Sequence, residues 1–314
     1  MTAVAPPDRQ APERHRLGHR DAGHRSAAGL GIAAMLGSSF LITMNDAVAK
    51  WIMADLPVSQ FMASRGLVVL SGLLLLILLT RRTSVLRIWN WRAMLFRCCG
   101  MIASAYLFLS ALRHLPLADT YAIGFASPLI ALLLAIVFLG ERVGWRRWLA
   151  VGLGFAGVCI ALLPTGQGYA WTVALLPLAS AFGSAVRDVS SRRLSATDTT
   201  LGIMVYTTVA ITAAGFAGWA FEPWHFSGTE DSLWLILGCA ALQASAHWLQ
   251  IESYRCAEVS FLMPFRYTSL VFATAAGLAI WGDVPTWNVA LGSLIIIGSG
   301  LFIWHRERRL RRAA

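Results

Sequence analysis

Ten apolar blocks joined by short polar loops fill most of this chain of 314 residues. Their approximate limits are 29–51, 58–80, 93–112, 118–139, 147–163, 170–190, 200–221, 233–253, 259–281 and 287–305. A helix of roughly 20 residues crosses the hydrocarbon core of a bilayer, and each block is close to that length. Hydrocarbon leaves no partner for a free backbone N–H or C=O, so only helices and closed barrels span it. The blocks lack the period-two alternation of barrel strands. The expected fold is therefore all-α, with ten transmembrane helices. Composition agrees: 57% of residues are hydrophobic and 13% charged, against about 25% charged in a soluble domain.

The chain also matches itself at one fixed offset in numbering, the offset that lays Phe40 on Phe182. At that offset Asp46 falls on Asp188 and Lys50 on Arg192. Arg113 falls on Arg255, Ser127 on Ser269, Gly140-Glu141 on Gly282-Asp283, and Trp145 on Trp287. Several of these pairs are polar, so shared hydrophobicity does not explain them. Two copies of one transmembrane unit in a single chain is the build of a secondary transporter. The expected organisation is a disordered basic tail over 1–28, one five-helix repeat over 29–164, a second over 169–305, and a basic tail over 306–314.

Basic residues set the orientation. With the N-terminus in the cytoplasm, 22 of the 26 Lys and Arg residues fall in cytoplasmic segments. These are the two tails, the Arg81–Arg97 region, Arg142, Arg146 and Arg147, Arg187, Arg192 and Arg193, and Arg255. The opposite side carries Asp55, Asp119, Glu222, Glu230, Asp231 and Asp283. The positive-inside rule puts both termini in the cytoplasm. It also accounts for the net charge of +10 without a nucleic-acid partner. Five helices per repeat send span 1 outward and its copy, span 6, inward, so the two halves are expected to be inverted.

Some classes of chemistry are excluded at this level. The N-terminal segment 1–28 holds no apolar core of a signal peptide. His15, His19 and His24 read as part of a solvated basic tail rather than a metal site. Cys98, Cys99, Cys159, Cys239 and Cys256 show no Cys-x-x-Cys spacing and read as buried thiols. His114 and Asp119 fit a His-x-x-x-x-Asp acyltransferase pattern by chance, in a short external loop. There is no phosphate-binding Gly-x-x-x-x-Gly-Lys motif, so ATP hydrolysis is not expected. No cofactor and no metal is implied.

Several stretches are similar to a known family. They are Asn45-Asp46-Ala47-Val48-Ala49-Lys50 in span 1, Arg65 in span 2, Ser127-Pro128 followed by Gly140-Glu141, and Pro264-Phe265-Arg266-Tyr267 followed by Gly282-Asp283. Over roughly positions 30–305 the chain resembles the drug/metabolite transporter superfamily, specifically bacterial ten-span permeases with two EamA domains. The departure is Asp283, where Glu is usual. The resemblance implies carriage of a small metabolite. Members sharing the span 1 pattern carry riboflavin, S-adenosylmethionine, amino acids or metallophores. It also implies a substrate role for basic residues of span 9, the region of Arg266, and cavity-shaping kinks at Pro128 and Pro264.

Ionisable groups at bilayer depth cost about 2.5–3.5 kcal/mol each on insertion scales, so each needs a partner or a task. Asp46 and Lys50 are four apart and share a helix face; Asp188 and Arg192 repeat the spacing. Two readings stand: internal ion pairs, which the repetition favours, or a proton- or substrate-sensing site. Arg65 and Arg266 have no acid within one turn. Each needs a ligand, through a bidentate bond to carboxylate or phosphate, or a buried acid such as Asp46 or Glu252. Gln243, His247 and Gln250 form one polar stripe on span 8, facing a water-filled path or packing against another helix. Tyr106, Tyr121 and Tyr267, with Trp248, line a cavity or pack between helices.

The function expected is therefore a permease working by alternating access. The candidate substrate-binding residues are Arg266, Tyr267, Arg65, Tyr106, Tyr121, Gln243 and His247. Asp46, Lys50, Asp188, Arg192 and Glu252 are candidates for coupling or internal pairing. The expected partners are a small molecule and the lipid bilayer; a proton is a candidate coupling ion and a homodimer a candidate assembly. The rival reading is an integral membrane enzyme such as a lipid-modifying transferase, which needs a polar cluster at one membrane face.

Overall fold

The computed structural model describes residues 11–81, 83–115, 117–141, 143–161, 171–224 and 229–282, with isolated positions between 287 and 298, and side chains at most positions from Ala28 onward. Most of the tenth apolar block, Asp283, the tail 306–314 and the loop around Gly166 lie outside the described residues. So do the side chains of His15, His19, His24, Asp119, Glu230 and Asp231.

The described chain is helical, and no strand occurs among the described residues. The helices are α1 (Ala11–Ile52), α2 (Val58–Thr80), α3 (Trp91–His114), α4 (Leu117–Gly124), α5 (Ala126–Leu134), α6 (Trp145–Ala161), α7 (Trp171–Ser195), α8 (Thr200–Gly218), α9 (Thr229–Cys256), α10 (Val259–Arg266) and α11 (Thr268–Trp281). Four stretches among the described residues are long and apolar enough to cross a membrane: Ala28–Ile52, Val58–Thr80, Trp91–His114 and Thr200–Gly218. Helices α7 and α9 are as long but carry several charged side chains each.

Helix α1 begins at Ala11, where the sequence suggests a disordered tail. The stretch 11–28 is rich in Ala and Arg, which favour helix, and contains no β-branched residue.

Local chemistry explains the helix ends. Asn90 caps α3, its side chain accepting from the Ala93 N–H, and Thr199 caps α8 by accepting from the Gly202 N–H. Glu141 caps a helix remote in sequence. Its two carboxylate oxygens accept from the Val259 and Ser260 amides at 3.1 Å each, satisfying donors at the start of α10.

Two of the apolar blocks are broken as helices. The fourth is split into α4 and α5 at Phe125, just before Ser127-Pro128, and the ninth into α10 and α11 at Tyr267, just after Pro264. Pro128 lies three residues after the first break, and having no N–H it offers no donor to the Gly124 carbonyl four residues earlier; Pro264 lies inside α10, before the second break, and does not by itself account for it. The two breaks, Phe125 and Tyr267, are separated by the offset of the sequence repeat. The same offset relates Gly140, which ends the π-helical turn Ala135–Leu139 that follows α5, and Gly282, which ends α11; their φ values are 66° and 70°. That left-handed conformation suits glycine.

Packing repeats at the same offset. Helix α1 lies along α9, and α7, which corresponds to α1, lies along α3, which corresponds to α9. The hydroxyl of Ser38 donates to the Ala246 carbonyl at 2.8 Å, and that of Ser180 to the Ser104 carbonyl at 2.9 Å. The repeat offset relates the two donors, and it relates the two acceptors as well. Helices α3 and α7 approach closely because each presents a glycine. A Cβ on Gly100 would sit 2.7 Å from the Gly183 carbonyl oxygen, and one on Gly183 would sit 2.9 Å from that of Gly100.

The outside of the bundle is apolar. Leu78, Leu79, Val137 and Trp234 are each at least 70% exposed, as lipid-facing residues are. All five cysteines are free. Cys99 and Cys159 are exposed rather than buried as expected; an apolar thiol is no liability where lipid is the solvent.

Gly100→Ala is expected to destabilise the protein by about 1–3 kcal/mol, since the clash is with backbone rather than a side chain that can turn away. Gly152→Ala, whose Cβ meets nothing within 4 Å, is the control. Thermal unfolding of the two variants in detergent checks this; equal midpoints would contradict the close approach.

Candidate substrate cavity

Side chains from α1, α2, α3, α4, α5, α7, α9, α10 and α11 enclose a central cavity of about 130 Å³. One water needs roughly 10–15 Å³ on this scale, so the space is large enough for a small-molecule group. It lies between two apolar clusters, one around Phe61, Leu112 and Leu270 and the other around Met35, Leu132 and Phe261. Its polar lining includes Ser38, Asn45, Asp46, Arg65, Ser127, Arg187, Gln243, His247 and Arg266. Phe108, Tyr121 and Phe125 supply the aromatic part, with Phe108 and Tyr121 edge to face at 5.3 Å between centroids.

Two carboxylates organise this wall. Asp46 accepts from the Asn45 side-chain amide at 2.8 Å and the Tyr121 hydroxyl at 2.7 Å. Arg65 approaches the far side of Asn45, Nη1 to Oδ1 at 3.5 Å, so a polar thread runs from α2 through α1 to α4. Asp188 is fully buried and sits between two guanidiniums. Arg187 Nε donates to Oδ1 at 3.0 Å, and Arg266 Nη1 donates to Oδ2. Gln250 Nε2 approaches Oδ1 at 3.5 Å. Each Asp is thus held by its sequence neighbour and by a side chain from the broken span of its own half.

The i,i+4 pairs suggested by the sequence are not how these acids are satisfied. Lys50 Nζ donates to the Leu115 carbonyl at 3.1 Å. Arg192 donates to the carbonyls of Tyr254 and Arg255. A long basic side chain one turn away along a helix can snorkel to the helix ends, whereas the guanidiniums of Arg187 and Arg266 cannot leave the interior. Arg266 therefore does have a buried acid, from another helix, and it is Asp188 rather than Asp46 or Glu252. Glu252 lies away from the cavity, bound by the Thr200 hydroxyl and paired with Arg255 at 3.5 Å.

Of the residues singled out in the sequence, Arg266, Arg65, Tyr121, Gln243, His247 and Asp46 meet on the cavity wall. Gln243 Nε2 and His247 Nε2 are 3.4 Å apart. Tyr106, Tyr267 and Trp248 do not line the cavity. Tyr267 is wholly buried against Phe125 and α6, its hydroxyl 3.4 Å from the Val151 carbonyl. Trp248 is 40% exposed. The Tyr106 hydroxyl donates to Glu222 at 2.7 Å, and the Ser59 amide donates to the same carboxylate at 3.0 Å. Burial works to raise the pKa of Glu222, but hydrogen bonds from Ser59 and Tyr106 outweigh it and hold it below the usual carboxylate range.

The sequence reading missed Arg97, Arg187 and Asn45. Charge counting assigns Arg97 and Arg187 to the cytoplasmic side, yet they are 1% and 8% exposed within the bundle. The available signal was the offset: Asn45-Asp46 corresponds to Arg187-Asp188, so a polar doublet ends in a buried acid in both halves. Two buried polar atoms on the cavity wall, Ser127 Oγ and Gln243 Oε1, have no partner among the described residues, which is uncommon for buried polar groups and leaves them for a ligand.

Comparison with known proteins bears on what this cavity serves. Residues 29–163 match the EamA-like transporter family. The riboflavin transporter of Vibrio cholerae is 30% identical over 219 residues, covering 69% of this chain and 73% of that protein. The chain belongs to the EamA-like transporter family. This EamA-like protein therefore sits in the drug/metabolite transporter superfamily. Its relatives have different cargoes. The S-adenosylmethionine uptake transporter of Rickettsia bellii is 26% identical over 197 residues, 62% of this chain and 66% of that one. The pseudopaline exporter of Pseudomonas aeruginosa is 26% identical over 270 residues, 85% of this chain and 93% of that one. A crystal structure at 21% identity shares the fold, with a TM-score of 0.72 over 91% of this chain and 99% of that one.

Asp188→Asn leaves two buried guanidiniums without their carboxylate and is expected to cost about 3–5 kcal/mol. Arg192→Gln, which loses only carbonyl contacts near the helix end, is expected to cost far less. Comparable losses of thermal stability in the two variants would restore the Asp188–Arg192 pair.

Proposed function

We propose that this EamA-like transporter is a ten-span secondary carrier of the inner membrane that moves a small metabolite through the central cavity by alternating access. The observation that carries the reading is a central cavity whose wall combines the Asp46 carboxylate, three guanidiniums, two of them paired with the buried Asp188, and unpartnered polar atoms with aromatic rings. Two broken helices border it, as in carriers whose sites lie at interrupted spans. Riboflavin, S-adenosylmethionine, an amino acid and a metallophore are the candidate cargoes. The polar groups line a cavity enclosed by helices of both halves, which favours a carried solute over a lipid-modifying enzyme.

The two halves are inverted repeats in this reading. Its support is the single offset shared by the sequence matches, the helix breaks, the left-handed glycines and the two serine hydrogen bonds. Both termini lie in the cytoplasm. Reporter fusions after Arg82, Arg147, Arg193 and Ala314 are expected to report cytoplasm, and those near Asp55, Gly166 and Glu230 the periplasm. A periplasmic C-terminus would sink the ten-span arrangement.

Arg266 anchors the substrate in the cavity. Asp188 engages one of its five N–H donors, and the rest of the fork is available to an acceptor on the cargo. Tyr121, Gln243, His247 and Arg65 complete the wall. Asp46 pairs with no cation among the described residues and is the carboxylate placed to carry a coupling proton. The full chain in proteoliposomes, offered the four candidate cargoes, is expected to take up at least one above empty vesicles. Arg266→Lys should reduce that transport about tenfold or more with normal yield, because an ammonium does not reproduce the planar fork. Asp46→Asn should remove stimulation by a pH gradient while substrate exchange continues. Unchanged transport by Arg266→Lys removes that residue from the site, and undiminished gradient stimulation in Asp46→Asn removes Asp46 from coupling.

A further inference from the structure

Two buried guanidiniums have no carboxylate. Arg97 on α3 is 1% exposed, and its donors reach only hydroxyls, Nε to Thr207 Oγ1 at 3.2 Å and Nη1 to Ser191 Oγ. Arg65 on α2 is 4% exposed; its Nη1 reaches Asn45 Oδ1 at 3.5 Å, and its guanidinium lies 4.6 Å from the centroid of the Phe61 ring. Neither makes an ion pair among the described residues. Neutral hydroxyls satisfy donors but do not neutralise the charge, and an uncompensated buried cation costs several kcal/mol. Arg187 and Arg266 differ, because both share Asp188.

The charge balance around the cavities is therefore uneven. Arg65, Arg97, Arg187 and Arg266 face Asp46 and Asp188, four positive charges against two negative among the described residues. The excess lies on the side of Arg65 and Arg97. There a second cavity of about 20 Å³ opens, walled by Arg65, Arg97, Thr207, Thr208, Gln243 and His247. It shares Arg65, Gln243 and His247 with the central cavity, so the two adjoin. Its volume exceeds the roughly 10–15 Å³ that one water needs. A halide or the oxygen end of a carboxylate enters; the rest of a larger anion has to stay in the adjoining space.

We propose that this side cavity is a binding site for one compact, singly charged anion held between Arg65 and Arg97. The anion is either a free halide or the carboxylate of a cargo whose body occupies the central cavity. The second source rests on the transporter reading; the site itself does not. Thr207 is a positioning residue, since its hydroxyl accepts from Arg97 and donates to the Ile203 carbonyl at 2.6 Å.

The test uses the purified full chain in detergent at constant ionic strength. Isethionate, whose tetrahedral sulfonate head is bulkier than a carboxylate and too large for the side cavity, is exchanged stepwise for chloride or for acetate, and the unfolding midpoint is followed. Saturable stabilisation is expected with at least one of the two small anions, because a ligand that binds only the folded state raises its stability. Arg97→Gln and Arg65→Gln are expected to weaken the apparent affinity about tenfold or more, the loss of one charge-assisted contact. Thr207→Val, which leaves both charges in place, should weaken it less and serves if the arginine variants do not fold. Acetate stronger than chloride identifies the carboxylate source; chloride stronger identifies the free halide. No saturable effect of either anion on the wild type overturns the proposal. So does an effect of undiminished affinity in Arg97→Gln and Arg65→Gln, or in Thr207→Val where those fail to fold. None of these readings requires transport, so failure of the site and failure of the carrier reading remain distinct results.

Discussion

A carboxylate cut off from solvent has to be satisfied entirely by its neighbours, and Asp188 is satisfied by two guanidiniums from different helices. Arg187 lies beside it on α7, Arg266 ends α10 and Gln250 approaches from α9. Taking such charges out of water is expensive, and only good geometry with further hydrogen bonds offsets the cost. The geometry here requires α7, α9 and α10 to meet at one depth. The break at Tyr267 comes directly after Arg266, so the end of α10 is where the guanidinium has to be. The second acid, Asp46, imposes the same demand on α1, α2 and α4, through Tyr121 and through Asn45 to Arg65.

The two halves share a backbone plan and differ in their polar chemistry. The repeat offset pairs Asn45 with Arg187, Arg65 with Thr207, Arg97 with Cys239, and Gly124 with Arg266. Each of these exchanges trades a cation for a neutral residue, so the cations stand in different places in the two halves. The scaffold repeats because helix breaks, glycine ends and serine bonds are needed in both copies. The wall does not repeat, as a lining for an asymmetric small molecule need not.

Much of the backbone was legible in the sequence. Nine apolar blocks coincide with described helical spans because long apolar runs in lipid have few alternatives, and Pro128 and Pro264 marked the two broken ones. The partners of the buried charges were not legible. Spacing along one helix pointed to Asp46–Lys50 and Asp188–Arg192, but pairing at this depth is decided by residues brought in from other helices. Arg97 and Arg187 were hidden by their position near helix ends, where a basic residue reads as a cytoplasmic anchor until its exposure is known. Tyr106 and Tyr267 are intramembrane tyrosines like Tyr121. Only the packing shows that Tyr106 binds Glu222, that Tyr267 packs against Phe125, and that Tyr121 alone of the three reaches the cavity.

The aromatic contact at the helix breaks has a geometric consequence. Phe125 and Tyr267 correspond to each other under the offset, and their rings touch, with centroids 5.3 Å apart. Under the proposed two-fold relation, a point and its counterpart come together only near the axis that relates them. This pair of rings then marks where that axis passes between the halves.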